Sequence, residues 1–136
     1  METSDKNQGA RIIGGAGDSP GPGPVLMASD TLEGNDVLNM EGEKLGTIQD
    51  IMLDVPKGKI AYAVLSRGGI LGMGDKLFAI PWGALTLDTA RKCFILNVDS
   101  QRLEDAEGFD KDKWPKMADF TWASQIHEHY GQPTYW

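Results

Sequence analysis

Three carboxylates near strand ends, a pair of histidines and one glycine-rich loop are the residues whose types and spacing raise a question of chemistry. Asp50 and Asp54 share strand parity and would lie on one face about 13 Å apart along an ideal strand, too far to hold one proton or one cation between them. Bending, or the approach of Asp75, would have to bring oxygens together before Asp50, Asp54 and Asp75 made even a weak divalent-cation site. Turn capping and surface charge are their plainer roles. His127 and His129 point about 200° apart on a helix, so they cannot grip one metal there. The expectation is one imidazole on a packing side and one in solvent.

The stretch Arg67–Asp75, RGGILGMGD, exposes consecutive backbone N–H groups as a phosphate cradle would. A P-loop, however, needs Gly-Lys-Ser/Thr opening a helix, and a dinucleotide site needs GxGxxG between strand and helix. This loop joins two strands and ends in Asp75, so tight turns and close backbone approach are expected, with anion binding as the alternative. Cys93, the single cysteine, lies inside an apolar strand and reads as a small buried hydrophobe. No Ser-His-Asp or Cys-His arrangement is defensible. The chain is therefore expected to be non-catalytic and to need no cofactor.

The length of 136 residues fits one domain of common size with tails, and the 40% apolar content fills one modest core. A formal charge of -7 with scattered basic residues argues against a nucleic-acid phosphate backbone as partner. A lone cysteine cannot form an intramolecular disulfide, and a reducing compartment suits it. No apolar run approaches the roughly 18 residues of a membrane span, and the N-terminus lacks the basic-then-apolar layout of a secretory signal, so a cytoplasmic location is expected.

Residues 1–32 are expected to be a flexible tail, since Gly14–Pro24 (GGAGDSPGPGP) is too rich in Gly and Pro to hold a ladder or helix. Ile12 and Ile13 are its only apolar pair before Val25, which leaves room for a short docking motif. A barrel domain is expected over 33–107, beginning near Val37. Lys44–Asp54 reads as a strongly bent strand, with Leu45, Ile51 and Leu53 on one face and Ile48 and Met52 on the other. Pro56, Lys57 and Gly58 form a hairpin turn. The next strand alternates Ile60, Tyr62 and Val64 with Ala61, Ala63 and Leu65, bulky against mostly small, as a tightly curved barrel requires. Phe78, Ile80 and Trp82 share a face, with Pro81 marking an edge or a strand end. Leu85 and Leu87, then Phe94, Leu96 and Val98, complete about six strands around a turn at Asp88–Lys92. Asp99 or Ser100 can cap a short helical turn.

Residues 108–136 read as an aromatic-rich helical extension. Ala118, Trp122, Ile126 and Tyr130 recur at i, i+4 spacing, predicting a helix from near Ala118 to Tyr130 that ends at Gly131 with Pro133 just beyond. Phe109, Trp114, Phe120, Trp122, Ile126, Tyr130, Tyr135 and Trp136 supply more apolar area than a short helix needs to settle on a small barrel. Aromatics are enriched in interface cores, so this face is expected to pack within the chain, between chains of a homodimer, or in both ways through exchange.

The segments GEKLGTIQDIMLD, GKIAYAVLSRGG, LGMGDKLFAIPW and LNVDSQRLEDAEGFD together resemble the PRC-barrel family over about Gly34 to Asp110. That barrel is shared by the cytoplasmic part of the photosynthetic reaction centre H subunit and by the C-terminal half of a ribosome-maturation factor. The tail GFDKDKWPKMADFTW to HYGQPTYW is similar to the extension of stand-alone bacterial members. The resemblance implies a mainly β, small PRC-type barrel with no catalytic residues, docking onto other proteins or onto itself. The chain departs from the H subunit in lacking a transmembrane helix and from the maturation factor in lacking its extra N-terminal domain, and its acidity sits poorly with ribosomal RNA.

Overall fold

The computed structural model describes residues 9–14, 25–68 and 75–136. Along the chain run β1 (Arg11–Ile13), α1 (Ser29–Leu32), β2 (Asp36–Leu38), β3 (Lys44–Asp54), β4 (Lys59–Arg67), β5 (Lys76–Pro81), a 3₁₀ turn (Trp82–Ala84), β6 (Leu85–Asp88), β7 (Cys93–Leu96), α2 (Ser100–Glu104) and α3 (Phe120–His129). The strands form one seven-stranded sheet in the order β1-β6-β7-β2-β3-β4-β5. The mainly β architecture with a C-terminal helix follows the sequence pattern, and β1 adds a strand to the expected six.

The bend of β3 comes from three register shifts. One lies between Val37 and Leu38 on β2, one between Ile48 and Asp50 on β3, and one between Met52 and Leu53. Each extra residue reverses the in–out alternation beyond it. Leu45 and Ile48, three apart, are therefore both buried, while Leu53 is 63% exposed. The expected face shared by Leu45 and Leu53 does not exist, because parity counted along an unbroken strand fails across a bulge. Gly46 sits between these shifts where β3 crosses closest to β4. A Cβ built there would strike the Ser66 carbonyl oxygen and lie 2.7 Å from Leu65 Cδ2.

β4 is buried from Ala61 to Leu65 without a break. The register explains it: Ala63 pairs with Ile51 and Ile80, and Leu65 with Ile48 and Phe78, which makes one face the barrel interior. Tyr62 pairs with Pro81 and Val64 with Ala79, which makes the other face an outer layer that something else must cover. α3 does so, with Tyr62 in edge contact with Trp122 at 5.4 Å.

Segments that flank the expected barrel domain join the sheet. Arg11–Ile13 pairs in parallel with Thr86–Asp88, so this part of the expected tail is ordered. Ile12 packs against the core, and the Ile13 carbonyl accepts from Thr89 N at 2.9 Å and Thr89 Oγ1 at 3.0 Å. The rest of the GGAGDSPGPGP stretch, from Ala16 to Pro24 and with Gly15, lies outside the described residues, as do Gly69, Gly72 and Gly74 of the glycine loop. At the other sheet edge, Leu77 and Phe109 exchange backbone hydrogen bonds of 2.9 and 2.8 Å. Asp99 caps α2 by accepting from Arg102 N at 2.7 Å. Asp119 caps α3, accepting from Thr121 N at 2.8 Å, so the helix begins at Phe120 and not at Ala118. Gly131, at φ 67°, closes it, and the Gln132 N–H reaches back to the His127 carbonyl at 2.9 Å.

Two substitutions test this packing. Gly46→Ala is expected to lower stability by about 1–3 kcal/mol, the usual cost of overpacking, read as a fall in the urea midpoint; an unchanged midpoint would refute the close approach of β3 and β4. Tyr62 carries a buried hydroxyl with no hydrogen-bond partner, so Tyr62→Phe is expected to hold or raise the midpoint, and a clear loss would show that the hydroxyl is bonded after all.

Candidate functional site

The C-terminal face is built from three pieces that the chain brings together. The inner stripe of α3, Ala123, Ile126 and His127, is buried, with Tyr130 continuing it just past the helix. His127 Nδ1 donates to the Ala123 carbonyl at 2.8 Å, because a carbonyl can only accept. Its ring stands edge-on to Tyr62 at 5.5 Å. Burial holds this imidazole below its ordinary value of 6.5, so it is neutral at pH 7.

After the Gly131 turn the tail folds back across His127. Trp136 lies 5.3 Å and Tyr135 6.0 Å from the imidazole, centroid to centroid. The Tyr135 hydroxyl donates to Asp54 at 2.6 Å, and Lys59 Nζ donates to the Tyr135 carbonyl at 3.2 Å. The tail is thereby latched to the β3–β4 hairpin. The Tyr135 hydrogen bond is the main reason that the Asp54 carboxyl is held below its usual value. Burial, with the same bond to Asp54, pushes the Tyr135 phenol up to about 12.

The residues expected to form an interface divide into three groups. Phe109, Ile126 and Tyr130 turn into the chain's own core and present no outer surface, because the sheet's outer layer takes up the helix stripe. Trp122 and Tyr135 are half-buried between helix and barrel. Phe120, Trp136 and Trp114 stay outside at 66%, 40% and 38% exposure. Phe120 and Trp136 lie against each other at 5.4 Å, and Trp114 leans on Phe109 at 5.1 Å. Leu53 and Val55, which flank Asp54 beside the latch, are 63% and 80% exposed. Sequence parity placed Leu53 on one face with Leu45 and did not single out Val55; an apolar β-branched residue at a hairpin tip was the available signal.

The acidic residues do not converge. Asp54 is held by Tyr135, whereas Asp75 accepts from Ser66 Oγ at 3.4 Å near the other end of β4. Ser66 pairs with Thr47, which along β3 puts the two ends on the order of 20 Å apart. Asp50 stands between them, opposite Val64. Among the described residues no group of three or more His, Cys, Asp or Glu could hold a metal ion. His129 faces α2, with Nε2 2.9 Å from the Arg102 carbonyl, away from His127. Cys93 is buried, and burial followed by the nearby Asp88 raises its thiol, the opposite of what a nucleophile needs. Among the described residues no helix is long and apolar enough to cross a membrane.

A family model for the PRC-barrel domain matches residues 24–103, more than half of the chain. No curated protein matches it. Among solved structures, a Pseudomonas aeruginosa protein described as a candidate 16S ribosomal RNA processing protein, RimM, is similar at 20% identity and a TM-score of 0.39, over 55% of this chain and 45% of its own. The present chain thus spans less than half the length of that protein.

The titrations make a pH prediction. His127, depressed below 6.5 in the fold, contributes stability that is present above pH 6.5 and lost as pH falls through its lowered value. Asp54 acts in the same direction below 3.8. Tyr135, raised from 10.0 to about 12, contributes stability that is present below pH 10 and lost as pH rises toward 12. Melting temperature is expected to be level between these limits and to decline first on the acid side, with the decline above pH 3.8 abolished in His127→Phe. An identical acid slope in that variant would rule His127 out as its source.

Proposed function

The chain belongs to the PRC-barrel domain family, and from that premise we propose that it is a non-catalytic interaction module that self-associates as a cytoplasmic homodimer or docks onto a protein partner. The contact runs through the apolar face carried by Phe120 and Trp136. The observation that supports this reading is the pairing of these two rings outside a helix whose inner stripe is already satisfied. α3 has all the burial it needs without Phe120, which is 66% exposed. Two aromatic rings clustered in water, with Leu53 and Val55 exposed on the hairpin to which the tail is latched, supply the apolar surface that association surfaces favour.

The open sheet edges offer less. Phe109 already pairs with Leu77 on β5, and β1 presents three residues. An edge contact would therefore assist the aromatic face and not replace it. With a charge of -7, the chain repels a second copy at long range, so association depends on short-range apolar burial and is expected to strengthen with salt.

Solution mass by light scattering tests the proposal. The full chain is expected to be a dimer, and the double variant Phe120→Ser, Trp136→Ser, changed only at exposed positions, is expected to dissociate at least about 30-fold more readily, as loss of an aromatic hot spot would cause. If the parent is monomeric, parent and double variant are compared as baits in the native cytoplasm. Equal capture of every partner by both, or a dimer indifferent to the double change, would overturn the assignment.

A further inference from the structure

A cavity of about 1120 Å³ opens where β1, the ends of β4 and β5, and the tail after α3 meet. Its walls include Ile12, Ile60, Trp82 and Pro133, and Trp82 is held in place by an edge contact with Phe94 at 5.9 Å. Four polar side chains also line it: Arg11, Gln132, His127 and Tyr135, the last with its hydroxyl taken up by Asp54. Apolar walls with a few convergent polar groups are the usual composition of a small-molecule site. Neither Phe120 nor Trp136 belongs to this lining.

His127 points to an occupant. The side chain is 3% exposed, and its Nδ1–H is committed to the Ala123 carbonyl. In a neutral ring that leaves Nε2, on the far side, as an acceptor, and it has no hydrogen-bond partner in the described residues. Among the described residues Nε2 is not one of the buried polar atoms left without a partner, which are the Tyr62 and Tyr130 hydroxyls, so it keeps contact with solvent and can accept from a group in the cavity. Arg11 is exposed on the same lining and makes no ion pair with any described residue. An exposed guanidinium with no ion pair among the described residues can pair with an anion at the cavity.

We propose that this cavity binds a planar heteroaromatic ligand that carries an N–H donor and an anionic group. The N–H donates to His127 Nε2, the anion pairs with the Arg11 guanidinium, and the ring system lies against Trp82. The volume admits a molecule of mononucleotide size. A bare metal ion does not suit a lining that offers one neutral nitrogen and a cation, and a purely apolar guest would leave Nε2 without a donor. Because β1 and the C-terminal tail form two of the walls, a bound ligand would tie both to the barrel and raise its stability by linkage. The inference is independent of the self-association reading, since it uses none of the exposed aromatic residues.

Anilinonaphthalene sulfonate carries all three features: planar rings, a secondary N–H and a sulfonate. Titrated into the full chain, it is expected to bind saturably at one site, with enhanced fluorescence and a raised melting temperature. Arg11→Gln and His127→Phe should each weaken binding about tenfold or more, with melting curves showing that each variant is folded. If His127→Phe fails to fold, Arg11→Gln, at an exposed position, decides alone. The Phe120→Ser variant, changed at an exposed ring outside the lining, should bind as the parent does. Absence of saturable binding, indifference to Arg11→Gln, or loss of binding in Phe120→Ser would overturn the proposal. The last result would place the dye on the aromatic face and leave the self-association reading standing.

Discussion

The structure depends on the need to cover both faces of β4. Its middle residues, Ala61 to Leu65, are buried without a break, which a strand at a two-layer boundary achieves only when each face has its own partner layer. The inner face is served by the barrel. The outer face carries Tyr62, an aromatic ring whose full burial is worth about 2–3 kcal/mol, and it needs a second layer. α3 supplies that layer through Trp122 and His127. The C-terminal extension is accordingly continuous with the core: Phe109 prolongs the sheet at β5, and Ile126 and Tyr130 belong to the main apolar cluster.

Once α3 is seated, the path of the tail follows. The left-handed Gly131 reverses the chain, which brings Tyr135 to the β3–β4 hairpin and Trp136 over His127. The same placement that buries one side of the helix leaves Phe120 and Trp136 paired on the other. It also sets Tyr135, His127 and Gln132 along the cavity that β1 closes from the opposite side. The aromatic face and the cavity thus both result from docking the C-terminal segment, and Trp136 of the face lies against His127 of the cavity.

Local features were readable residue by residue. The turn at Pro56–Gly58 has Gly58 at φ 65°, donating to the Asp54 carbonyl at 2.9 Å. The Asp99 cap and the Gly131 helix end occur where the residue types place them, and His127 and His129 separate as helical geometry requires. Features set by pairing were not readable. Leu53 was placed on one face with Leu45 because alternation carries no mark of a bulge, and the bulges arise from how β3 must curve against β2 and β4 together. The strand at Arg11–Ile13 was passed over because three residues beside a Gly/Pro-rich stretch show no periodicity of their own. Its register comes from β6 and its anchor from Thr89.

The candidate sites divide in the same way. Composition and motif were enough to identify the family and the barrel, because these depend on residue types and on spacings of a few positions. The aromatic surplus at the C-terminus was likewise visible, but not which rings it would leave outside. That choice, the neutral state and unpartnered nitrogen of His127, and the meeting of Arg11 with Gln132 across one cavity were decided by the tertiary structure. Each joins segments far apart in the chain, and burial and proximity between such segments exist only once the sheet and its outer helix have closed on each other.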